Sequence, residues 1–224
     1  MSSHNPKRII YSHIAALTRA LAHEHRLELL EHLGQGEWSV EYLADKSGLS
    51  FANASQHLHL LRRNGLIQSR KSGKNVYYRL AHGPVLAAIS AIRTLAENNV
   101  AEVRAAVDTY FNEIDSFEAA TFNELKARLA DTNLLLLDVR DEAEFRQGHL
   151  PSALHIPLSE LESRLGQLPK DREIIAYCRG PYCILSFKAV QLLRRHGFAS
   201  RRMTDGFPEW AASGGEVAFA APPA

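Results

Sequence analysis

The feature that most restricts how this chain can fold is a change of hydrophobic period near Ser116. Beyond it, short apolar runs at 134–139, 153–156, 173–178 and 199–203 alternate with helically spaced segments at 121–130, 141–147, 158–166, 184–196 and 207–213. Strands that are apolar on both faces need cover on both faces, so the pattern calls for a mostly parallel sheet with helices on either side. Upstream of Ser116 the spacing is helical almost throughout. A chain of 224 residues that changes architecture midway is expected to hold two domains. We read them as residues 1–83, a long linking helix at 84–115, and an α/β domain at 116–218, with a disordered tail at 219–224.

In the first part, apolar residues recur at helical intervals over 8–33 and stop at Gly34. Ser39 is placed to cap a helix over 40–47 that Gly48 ends, and Ser50 to cap the next, over 51–64. The two form a helix-turn-helix. Residues 66–70 and 75–80 then read as strands joined by Lys71-Ser72-Gly73-Lys74, a hairpin with a basic tip. Helix-turn-helix followed by such a hairpin is a winged helix, mainly α. The formal net charge is only +1, yet between Leu61 and Leu80 there are six basic residues and no acidic one. Such a local basic surface points to nucleic acid. On the second helix Ala54, Leu58 and Leu61 face inward, leaving Asn53, Gln56 and His59 outward, where Asn and Gln can pair bidentately with adenine. Ser50, Ser55, Arg62, Arg63, Arg70, Lys71 and Lys74 are the expected phosphate contacts.

Gly83-Pro84 opens the linking helix, whose apolar positions run from 85 to 114 in steps of three and four, with Asn98-Asn99 as a candidate kink. So long an apolar edge exceeds what its own domain can cover, and a homodimer seam is the expectation.

Chemistry concentrates in Cys178-Arg179-Gly180-Pro181-Tyr182-Cys183, which holds both cysteines of the chain. The loop joins a strand end to a helix start, where N–H groups and the helix dipole stabilise a thiolate. We expect Cys178 to be that thiolate, with Arg179 supplying a nearby cation. Across a straight helix the two Cα atoms would stand about 7.5 Å apart, beyond the roughly 4.4–6.8 Å of a disulfide. Either the loop curls, or extra sulfur atoms complete a bridge; the sequence favours the polysulfide link.

Two family resemblances follow from these stretches. Residues 9–110, through Ala20-Leu21-Ala22-His23-Glu24-His25-Arg26-Leu27-Glu28-Leu29-Leu30 and Ser55-Gln56-His57-Leu58-His59-Leu60-Leu61, resemble the ArsR family of winged-helix repressors. That resemblance implies a homodimer on a pseudo-palindromic double-stranded operator, released by an inducer. The family's usual metal sites are not matched: Glu37-Trp38-Ser39-Val40-Glu41 replaces the cysteine version, and no histidine lies between Gly83 and Asp115. Residues 117–216 resemble a rhodanese domain through Leu137-Asp138-Val139-Arg140, Glu144 to Ala153, the cysteine loop, and Asp205 to Gly214. This implies a Cys178 that carries sulfane sulfur as a persulfide. Rhodaneses that use thiosulfate commonly carry a cation at the sixth loop position, where this chain has Cys183.

The resulting expectation is a DNA-binding repressor whose rhodanese domain senses reactive sulfur, or another thiol-reactive species, through Cys178 and Cys183. The alternatives are a sulfurtransferase dimerised or tethered to DNA by the winged helix, and an arsenite-responsive repressor. No metal site or cofactor is expected, since His23, His25, His57 and His59 lack a soft or carboxylate partner at ligand spacing. Without a signal segment or a spanning apolar run, the expected location is the cytoplasm and no membrane partner is expected.

Overall fold

The computed structural model describes residues 5–112 and 119–220. The chain divides into two compact units, Met1–Val85 and Leu86–Ala224. In the first, α1 (Pro6–Leu21) and α2 (Glu24–Gly34) abut. They are parted at His23, whose extended backbone lets its ring accept the N–H of His25 at 3.2 Å and cap α2. The strand β1 (Trp38–Ser39) precedes α3 (Val40–Lys46) and α4 (Phe51–Arg63). Both helices start where a serine caps them: Ser39 Oγ accepts from Tyr42 N and Ser50 Oγ from Asn53 N, each at 3.3 Å. Between them Gly48 takes φ +61°, a left-handed conformation that glycine adopts without steric cost.

The hairpin β2 (Ile67–Ser72) and β3 (Asn75–Leu80) pairs in antiparallel register from Ile67 opposite Leu80 to Ser72 opposite Asn75. The sheet order is β1-β3-β2. Leu29, Leu30, Leu43, Ala54, Leu58 and Leu61 are wholly buried, which fixes the outward face of α4.

The second unit departs from expectation at its start. The single helix expected over 84–115 is two: α5 (Val85–Asn99) and α6 (Ala101–Val107), followed by a π-helical turn at 108–112. Val100 sits between them with φ −110° and ψ 110°. The Asn99 side chain donates to Leu95 O at 2.8 Å, closing α5 beside the expected kink. Residues 113–115 of that expected helix and the boundary at Ser116 lie outside the described residues, as do 221–224 of the expected tail.

The α/β elements then follow as α7 (Phe122–Arg128), β4 (Leu134–Asp138), α8 (Glu142–Gln147), β5 (Leu154–His155), α9 (Leu158–Leu161), β6 (Glu173–Tyr177), α10 (Ile184–Arg195), β7 (Ser200–Arg202) and α11 (Phe207–Ala212). The helix expected over 158–166 is α9 continued by a 3-10 segment at 162–167. The sheet is parallel in the order β5-β4-β6-β7. Successive residues of β4 and β6 enter opposite cores. Leu137 and Ala176 pack with Val190 and Leu193 on one face, and Leu136 and Ile175 with Leu125 and Trp210 on the other. The inner strand β6 delivers its carboxyl end to the cysteine loop, where open parallel sheets place their ligands.

Candidate functional site

The chain leaves β6 at Tyr177 and enters α10 at Ile184, so residues 178–183 form a loop rather than a helix. Cys183 N donates to Gly180 O at 3.1 Å, a tight turn that curls the loop back on itself. The curl brings Cys178 Sγ to 3.4 Å from the Cys183 carbonyl oxygen, so the two cysteines are neighbours across the loop. The straight-helix separation therefore does not apply.

Both cysteines are free and buried, Cys178 at 1% exposure and Cys183 at 8%. Their environments differ. Cys178 Sγ lies 3.4 Å from Cys183 O, 3.8 Å from Gly180 O and 3.3 Å from Ser186 Oγ. Carbonyl oxygens suit a thiol that donates, and burial pushes Cys178 well above the ordinary thiol range. Cys183 is faced by the Cys178 thiol and by the N–H groups of Arg179 and Leu185. With the Arg179 charge nearby, these donors bring it down to about 6 despite burial. The donors at the start of α10 and the Arg179 cation gather around Cys183, which favours a thiolate there, whereas burial disfavours one on Cys178, the residue expected to carry it.

The loop is clamped from beneath and from one side. Arg179 reaches Glu144 on α8 through Nε at 2.6 Å and Nη2 at 2.8 Å, and Asp141 at 3.3 Å. Glu144 is fully buried and also closes the α8 capping box by accepting Asp141 N at 3.2 Å. Arg179 therefore positions the loop and biases Cys183 rather than standing open to a donor. Phe207 N at the start of α11 donates to Cys178 O at 3.0 Å. A Cβ on the neighbouring Gly206 would lie 2.4 Å from the Arg179 carbonyl carbon and the Gly180 nitrogen, so only glycine lets α11 approach. Below, the wholly buried Arg140 and Asp138 pair at 2.6 Å, and Arg140 also donates to Gly148 O at 2.8 Å. Tyr177 OH accepts Leu150 N at 3.1 Å. These contacts give Asp138, Arg140, Glu144 and Trp210 supporting roles.

In the winged-helix unit Asn53, Gln56, His59, Arg62 and Arg63 are exposed along α4, and Lys71 and Lys74 are exposed at the hairpin tip. Three of the expected phosphate contacts have other engagements. Ser50 spends its hydroxyl on the helix cap, Arg62 donates to Ser69 Oγ at 3.1 Å, and Arg70 makes a bidentate pair with Glu37 at 2.8–2.9 Å through Nε. Ser55 is half-buried, lining a cleft with Arg26, Gln56, His57, His59 and Leu60. His57 meets His23 and His25 at ring-centroid distances of 4.6 and 6.0 Å, and burial with these neighbours and Arg26 lowers its basicity. Among the described residues no group of three or more His, Cys, Asp or Glu side chains is arranged to hold a metal ion. No helix of the described residues is long and apolar enough to cross a membrane.

Two residues in contact with the loop carried no signal in the sequence. Ser186, one turn into α10, had no signal beyond its place after the loop. Tyr182 was read only as loop, although its side chain reaches out to α5.

A winged helix joined to a parallel α/β domain with a cysteine loop at its central strand defines a DNA-binding regulator carrying a rhodanese domain. Comparison with known proteins gives the same class. The helix-turn-helix domain model matches residues 21–70 and the rhodanese-like domain model residues 121–213. HTH-type transcriptional regulator Rv0324 of Mycobacterium tuberculosis is 36% identical over 216 residues, covering 96% of this chain and 95% of its own length. A sulfurtransferase of Allochromatium vinosum is 37% identical over 105 residues, 46% of this chain and 91% of that protein. The homodimeric winged helix-turn-helix DNA-binding domain Mb0332 of Mycobacterium bovis is similar at 29% identity, with a TM-score of 0.41 over 46% of this chain and 94% of that one. The chain belongs to the HTH-type transcriptional regulators, with a helix-turn-helix domain followed by a rhodanese-like domain.

Proposed function

We propose that the protein is a homodimeric repressor that leaves its operator when sulfane sulfur links Cys178 to Cys183. The observation that carries this reading is the pair of buried free cysteines in one curled loop, Cys178 Sγ 3.4 Å from the Cys183 carbonyl, with the groups that favour a thiolate gathered around Cys183. The Cys183 thiolate takes the outer sulfur of a persulfide donor R–S–SH, releasing RS⁻. The Cys178 thiol then attacks Cys183 Sγ, and its proton leaves with the displaced sulfur as H₂S. The product is a disulfide, oxidised by two electrons at the expense of the sulfane sulfur. Where a second donor has also made Cys178 a persulfide, releasing RS⁻, its outer sulfur attacks Cys183 Sγ and displaces H₂S, giving the trisulfide, heavier by one sulfur.

On the DNA side Asn53 and Gln56 read bases, while Lys71, Lys74 and Arg63 hold phosphate. The dimer surface is supported by the apolar residues left exposed: Ile10 at 58% and Ile14 at 52% on α1, and Ile92 at 43% and Leu95 at 64% on α5. Exposed apolar residues at helical spacing on each of these helices fit a second copy. The parting of α5 from α6 confines the seam to shorter segments than a single helix over 84–115 would give.

The test is operator release measured beside the mass of the cysteine peptides. Treatment of the wild type with a polysulfide donor yields linked cysteines and free DNA. Cys178→Ser and Cys183→Ser each bind the operator and stay bound, with any added sulfur held as a persulfide on the remaining thiol. Release by either single-serine variant rejects the two-cysteine switch. Steady turnover of thiosulfate with cyanide, at rates typical of enzymes, favours the sulfurtransferase reading instead.

A further inference from the structure

The cysteine loop is not held equally on all sides. Residues 178–180 are fixed by Phe207 N on the Cys178 carbonyl, by the Arg179–Glu144 pair, and by the close passage of Gly206. The opposite limb, Pro181 to Cys183, carries Tyr182, which is 38% exposed. Its phenol donates to the carboxylate of Glu97 on α5. One turn earlier on α5, Arg93 stands 5.8 Å from the Tyr182 ring and reaches Glu209 at 3.5 Å and Asp205 at 3.7 Å, both at the α11 end of the loop. Phe111, in the π-helical turn after α6, packs on Tyr182 at 5.6 Å and on Phe187 of α10 at 5.1 Å. The segment 93–111 thus touches the Tyr182 limb of the loop, opposite the limb held by Glu144 and Phe207.

We propose that Tyr182 is the relay residue, reporting the state of the cysteines to α5 through its hydrogen bond to Glu97. This rests on the sulfur-sensing reading above and supplies its missing connection. With free thiols the contact is made. Forming an S–S bond of about 2 Å takes the Cys178 thiol from its contacts with Cys183 O and Ser186 Oγ and draws the two sulfurs together. Because the Cys178 limb is clamped, Cys183 moves, and Tyr182, its neighbour in the chain, moves with it. The phenol then leaves Glu97, and Phe187 shifts against Phe111. The helix that loses its support is α5, the one that follows directly on the wing strand β3 in the chain. The contact can bias DNA binding only by favouring the DNA-competent arrangement over the other, so its removal must weaken the operator complex even without an inducer.

The experiment uses the full-length protein and two conservative variants, Tyr182→Phe and Glu97→Gln, with the double variant. In the fully reduced state each single variant binds the operator about tenfold more weakly, the scale of one hydrogen bond to a charged group. The double variant is no weaker than either single one, because both remove the same bond. All three still link Cys178 to Cys183 on treatment with polysulfide, seen by mass spectrometry. In the wild type, amide exchange over residues 88–99 speeds up once the cysteines are linked. Reduced variants that bind like the wild type, or additive losses in the double variant, overturn the relay while leaving the cysteine switch intact. Release of the wild type with both thiols unmodified overturns the switch instead, and the reduced-state affinities then still decide the role of Tyr182.

Discussion

Removing the guanidinium of Arg179 tests both duties assigned to it. In Arg179→Gln the Glu144 carboxylate, wholly buried, loses its partners at 2.6 and 2.8 Å and keeps only the Asp141 N–H at 3.2 Å. Breaking a buried pair from one side costs about 3–5 kcal/mol, since the remaining charge is neither solvated nor paired. At roughly 4 °C per kcal/mol for a domain near 100 residues, the rhodanese transition should fall by at least about 12 °C. Arg179→Gln with Glu144→Gln removes both charges and should regain most of that loss. The sulfur responds differently. Cys183 lies at about 6 partly because of the Arg179 charge, so its ionisation should move upward in both variants. Scanning calorimetry reads the first effect, and thiolate absorbance against pH reads the second. Equal stability of the single and double variants would refute the buried-pair argument, and an unmoved Cys183 titration would refute the electrostatic one.

The wild-type alkylation rate should follow the thiolate fraction, rising through about pH 6 and levelling above it, with Cys183 modified before Cys178 in peptide maps. Gln56→Ala should relax operator preference at one position, costing about 1–3 kcal/mol there, whereas Lys74→Ala should weaken all sequences alike and flatten the salt dependence in a filter or anisotropy assay. Uniform loss by both variants would contradict the division of labour on α4 and the wing. Ile92→Glu combined with Ile10→Glu should yield monomers in sedimentation and lose operator binding; a stable double-variant dimer would exclude these faces as the seam. Gly206→Ala should displace the Arg179–Gly180 backbone and lower the reactivity of both thiols toward polysulfide.

Much of the architecture was legible because it rests on strong local signals. Ser39 and Ser50 announced their helices, and the apolar runs at 134–139 and 173–178 became, one residue shorter each, the paired strands β4 and β6. The two-residue β1 was not legible, since so short a strand has no period and exists only through its pairing with Tyr77 and Tyr78. The parting of α5 and α6 lay beneath a continuous apolar pattern; spacing reports which faces are apolar, not where the backbone turns. In the cysteine loop, sequence supplied the reactive residues and their place between strand and helix. It did not supply the ionisation order, which depends on which sulfur the N–H groups of Arg179 and Leu185 reach. The Arg70–Glu37 pair shows the same limit: a charge count cannot tell a free cation from one already engaged over 33 residues of sequence.

The central claim is that the DNA-binding state is set by a bond between Cys178 and Cys183. Its most direct measurement is intact mass and peptide mapping of the protein that leaves an immobilised operator under a polysulfide donor, beside the protein that remains. The account predicts that the released fraction carries the Cys178–Cys183 link and the retained fraction carries free thiols, in proportion at every donor concentration. Released protein with both thiols unmodified would contradict it.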